Sequence, residues 1–97
     1  MPVSDDDLLR ELRADVLRRC GLRDLARVAT APQFVALEPD LAAVLRLRLG
    51  LDREPARPRT RPEVAEAIGL GGARLDEMVA ALEEDAVGAL GPPPIGA

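Results

Sequence analysis

The chain has no lysine, no histidine, no asparagine, no tryptophan and no tyrosine. Phe34 is its one aromatic residue, Ser4 its one serine and Cys20 its one cysteine. A single cysteine cannot close an intrachain disulfide. Without histidine or a second cysteine, a zinc site is not expected. Nucleophilic catalysis needs a base beside its nucleophile, and neither Ser4 nor Cys20 has one nearby in sequence. The expectation is a protein that is not an enzyme and holds no metal and no cofactor. No apolar run approaches the ~20 residues of a membrane-spanning helix. The N-terminus lacks the basic-then-apolar pattern of a secretory signal. No membrane partner is expected, and the cytoplasm is the default location.

What is present points to helices. The apolar share is almost entirely Leu, Val and Ala, and every basic residue is arginine. Helix formers dominate and β-branched residues are few. At 97 residues the chain makes one small unit with a modest core. The fold class expected is all-α, a small bundle of about five helices.

Taken in order, Ser4 caps a helix over 5–20, with Asp5, Asp6 and Asp7 at its positive end and Gly21 as its stop. Leu8, Leu12 and Val16 form an apolar stripe on it, which an oligomer contact could cover. The alternating charges Arg10, Glu11, Arg13, Asp15, Arg18 and Arg19 read as its exposed face. Cys20 is expected to be a small half-buried residue. A short helix follows over 22–30, and Pro32 ends it. Residues 31–37 fit either a helical turn or an extended plug. Glu38, Pro39 and Asp40 open a helix that Gly50 stops. Arg46 and Arg48, on it, read as surface charges with stems packed on leucines. The segment 51–61 is a loop with arginine at 53, 57, 59 and 61. Thr60 and Glu63 match a capping box for a short helix over 61–67. A last helix is expected from about Ala73, with Leu75, Met78, Val79, Leu82, Ala86, Ala89 and Leu90 as its apolar stripe. Residues 91–97 form a Pro-rich tail.

The stretch Val44–Leu51 reads V-L-R-L-R-L-G-L, and Arg57–Leu70 reads R-P-R-T-R-P-E-V-A-E-A-I-G-L. Together they resemble region 4 of the primary bacterial sigma factors. That family shows V-L-R-L-R, an aromatic residue, then G-L, a loop, and an R-x-R-T-L-E-E-V helix before a glycine turn. The resemblance spans about Leu37 to Ala80. It implies a helix-turn-helix domain over 37–90, preceded by an N-terminal helical segment over 1–36. It also implies phosphate-backbone contacts through Arg57, Arg59, Thr60, Arg61 and Arg74, and contact with promoter DNA or RNA polymerase.

The recognition half departs from the family. Members usually carry Ser/Thr-Arg-Glu-Arg-Val/Ile-Arg-Gln-Ile after the turn. Here the aligned residues run from Gly71 to Met78, G-G-A-R-L-D-E-M. Leu75 and Met78 are expected to keep the buried positions, and Arg74 is retained. The base-reading pair becomes Gly72 and Ala73, and Asp76-Glu77 replaces Arg-Gln. Between Ala42 and Arg61 six arginines stand against two acids, whereas from Gly71 onward Arg74 stands against five. Phosphates repel such a helix, and base edges need donors that carboxylates lack. The expectation is weak DNA binding and a protein partner, RNA polymerase or another transcription protein, met through Asp76, Glu77, Glu83, Glu84 and Asp85. The chain also lacks the sigma regions that melt and hold promoter DNA. The alternative is a helical adaptor or accessory subunit, an antitoxin-like partner included, with no nucleic-acid role.

Overall fold

The computed structural model describes residues 4–53 and 57–93. These residues are all helix, turn and loop, with no strand among them. Helix α1 spans Asp5–Cys20, a 3₁₀ helix spans Leu25–Thr30, and α2 spans Pro32–Val35. Helices α3, α4 and α5 follow at Pro39–Leu49, Arg61–Ala67 and Leu75–Ala89.

The ends of these helices follow their caps. The Ser4 hydroxyl accepts from the Asp7 backbone N–H and starts α1, and the Gly21 N–H donates to the Arg18 and Leu17 carbonyls to close it. Leu22 N–H still reaches back to the Leu17 carbonyl, so Leu22 belongs to the end of α1. The expected helix over 22–30 therefore shrinks to the 3₁₀ helix, which Asp24 caps by accepting from Ala26 N–H. Residues 31–37 resolve toward the helical option, with Pro32 in the first turn of α2. The capping box of α4 forms in full, since Thr60 accepts from Glu63 N–H and Glu63 accepts from Thr60 N–H. Helix α5 begins at Leu75, two residues later than the glycine spacing suggests, because Ala73 and Arg74 complete the turn after Gly71 and Gly72.

Two apolar clusters hold these elements. The larger joins Val16, Cys20, Val28, Phe34, Leu45, Leu49, Ala86 and Leu90. It draws on residues from both sides of the boundary expected at 36/37, so one core is shared across it. Val16 has no exposed surface, which removes it from the stripe offered to a second molecule; Leu8 and Leu12 are half-buried. The smaller cluster is Val44, Val64, Ala65 and Val79, with Leu47, Ile68, Leu70, Leu75 and Leu82 packed against it. Helix α5 packs on both α3 and α4.

The buried stripe of α5 differs from the one its apolar residues suggest. Val79 and Ala86 are fully buried and Leu90 nearly so, but Met78 is 41% exposed and Ala89 is exposed. The position between Val79 and Ala86 on that face belongs to Glu83, which is buried. Of the expected Pro-rich tail, residues 94–97 lie outside the described residues, as do Glu54, Pro55 and Ala56 of the arginine loop.

Candidate functional site

On α3, Arg48 stands four residues beyond Val44 and three beyond Leu45, so helical geometry puts it on the inner side. Its side chain has no exposed surface. An arginine so placed must keep its charge and find partners, because an unpaired buried charge is far costlier than a paired one. Asp5, from the first turn of α1, accepts two parallel hydrogen bonds, from Nη1 at 3.0 Å and Nη2 at 2.7 Å. Nη1 also donates to the Arg59 carbonyl at 2.7 Å. Nε lies 2.8 Å from Glu83 Oε1, an ion-pair contact whose N–H is not aimed to make a hydrogen bond. The second oxygen of Glu83 accepts from Arg61 Nη2 at 3.0 Å.

Arg48 thus ties four elements together: α1 through Asp5, its own helix α3, the arginine loop through Arg59, and α5 through Glu83. Arg48 hydrogen-bonds Asp5 and holds its carboxyl below the ordinary carboxylate range, outweighing the opposing effect of burial. Burial pulls the guanidinium pKa down, but the hydrogen bonds to Asp5 and the negative charges of Glu83 and Asp5 outweigh it and raise it.

The residues expected to meet DNA fare unequally. Arg59 donates to both oxygens of Asp52, at 2.6 and 2.9 Å. That pairing lowers the Asp52 pKa. Arg61 is held on Glu83, and the Thr60 hydroxyl is committed to the α4 cap. Arg57 and Arg74 remain exposed, Arg74 only 3.9 Å from the equally exposed Glu77. The arginine loop is therefore partly neutralised from within. Arg46 is exposed, with its guanidinium 5.9 Å from the centre of the Phe34 ring, within cation–π reach.

The acidic set also divides. Asp76, Glu77, Glu84 and Asp85 are exposed along α5. Glu83, expected with them on the outer face, is turned inward as counter-ion to Arg48 and Arg61. The acidic run concealed this, although the spacing from Val79 and to Ala86 carried the signal. Arg48 carried the same signal, a charge on the apolar side of its own helix. Cys20 is buried and its thiol is pushed up by burial, which suits packing better than reactivity.

The fold and site define an all-helical chain built around a buried arginine–carboxylate cluster. No family model, no curated protein and no solved structure matches it. Among the described residues, no helix is long and apolar enough to cross a membrane.

Proposed function

We propose that this chain is a small, non-catalytic transcription-associated protein, similar to sigma factor region 4, that acts by protein contact and reads DNA weakly. One observation carries this. Helix α5, which the resemblance would make the recognition helix, turns Asp76, Glu77, Glu84 and Asp85 to solvent, while Arg59 and Arg61 are spent on internal carboxylates. Such a surface repels phosphates and attracts basic protein surfaces. Complementary charge speeds and orients docking more than it adds affinity. RNA polymerase is the partner the resemblance suggests. The internal pairing of the loop arginines also favours a second reading, an adaptor or accessory subunit with no nucleic-acid role.

The double variant D76R/E77Q tests both readings, since both positions are exposed and their replacement should leave helicity unchanged. The wild-type chain should capture bacterial core RNA polymerase in a pull-down. The variant should capture it several-fold less well and bind duplex DNA more tightly. Capture of no polymerase by the wild type, with DNA affinity unmoved in the variant, favours the adaptor. Unchanged capture together with unchanged DNA affinity would mean that the acidic face is merely solvated.

A further inference from the structure

Between α1 and α5 runs an open groove of about 790 Å³. Leu8 and Leu12 line it from α1, and Ala80 and Val87 from α5. Leu12 and Val87 rest on the main core, but Leu8 packs against neither apolar cluster, although it is half-buried. The groove is a place where the bundle has two walls and no lid. From Leu8 to Arg19 the α1 wall is about 16 Å long, roughly three helical turns at 1.5 Å per residue.

The rim has one sign of free charge. Arg19 and Arg61 line the groove, but Arg19 is held by Asp15 and the Gly91 carbonyl, and Arg61 by Glu83. Glu11, Glu84 and Asp85 are exposed and make no ion pair among the described residues. The free charge thus comes from both walls and is entirely negative.

We infer, building on the protein-contact function proposed above, that this groove receives an amphipathic helix of a partner protein, about three turns long, with an apolar face flanked by arginine or lysine. Its apolar face covers Leu8, Leu12, Ala80 and Val87, and its flanking cations meet Glu11 on one side and Glu84 and Asp85 on the other. A second copy of this chain fits poorly. The chain carries a net charge of −4. None of its described helices of eight residues or more has a net positive surface. Helix α3 comes nearest, but its Arg48 is buried and its Arg46 is offset by Asp40.

The test uses the full chain and two labelled helical peptides. One has leucines at i, i+3, i+4 and i+7 with flanking arginines; its twin has glutamate for every arginine. Anisotropy should show binding of the basic peptide, weakened by salt, and none of the acidic twin. Amide chemical shifts should move around Leu8, Leu12, Ala80 and Val87. The variant E11R/E84R/D85R, changed only at exposed positions, should lose at least tenfold in affinity with its circular dichroism spectrum unchanged. Equal binding of the twins, or no saturation at millimolar peptide, overturns the inference. So does a chain that dimerises and thereby excludes the peptide. Shifts confined to the other side of α5, at Ile68, Leu70, Met78 and Leu82, overturn the groove but leave protein contact through α5 standing. Failure of the wild-type chain to capture polymerase in the earlier experiment, with peptide binding intact, does the reverse.

Discussion

Arg48 heads the fully buried side chains of the described residues in size, and it is charged. Its pairing is worth less to stability than its loss would cost. A buried pair recovers its desolvation only with good geometry, whereas removing one member strands the other. In R48M, Glu83 would keep Arg61, and Asp5, with a side chain 42% exposed, would return to water. The expected loss is about 2–3 kcal/mol, below the ~3–5 of a fully stranded partner. The double variant R48M/E83L removes both buried charges and should recover at least half of that loss, since apolar replacement of a whole buried pair is often neutral. Urea unfolding followed by circular dichroism measures both. A double variant as unstable as the sum of its singles would mean that the cluster is held by packing and not by charge.

At the scale of elements, the junction of α3 with the arginine loop is the tightest point. Gly50 closes α3 with φ +74, a left-handed conformation that costs a side chain dearly, and an added Cβ would run into the Arg57 backbone. Gly69, which has φ +80, faces open space where that Cβ would go. G69A should therefore cost about 1 kcal/mol, the price of the backbone conformation. G50A should cost clearly more, because the loop must also move. Thermal melts of the two variants make the comparison, and equal shifts would show that the loop yields freely. Helix ends of this kind were legible in the sequence because caps and stops act over three or four residues. Ser4, Gly21, Pro39, Gly50 and the Thr60–Glu63 box placed α1, α3 and α4. The inward turns of Arg48 and Glu83 were harder to read. Composition assigns a charge to water, and only the meeting of α1, α3 and α5 supplies the partners that let it go inside. Met78 failed the opposite way, since an apolar residue on the edge of a stripe is buried only if a neighbouring helix reaches it.

For the molecule as a whole, charge is arranged so that few cations face outward where a helix-turn-helix would touch DNA. Of the expected contacts, Arg57 is exposed and makes no ion pair among the described residues, and Arg74 is exposed with only a loose, solvated contact to Glu77 at 3.9 Å. Each neutralised phosphate adds about −0.9 to the slope of log affinity against log salt, so a slope of about −2 is expected on duplex DNA. Titrations at several salt concentrations on a promoter-like and a scrambled duplex should give this shallow slope on both. A steep slope, or strong preference for one duplex, would show that the loop releases its arginines on binding. The Asp5–Arg48–Glu83 cluster bears on how such a chain comes into being. Its two carboxylates lie toward opposite ends of the described residues. On the ribosome, Asp5 emerges first and waits; Arg48 follows with half of its counter-charge, and Glu83 is still inside the tunnel. A nascent chain at that stage has no finished place to put the guanidinium. The surroundings of Arg48 thus reach their final packing only after α5 is free to dock and bring Glu83 to it.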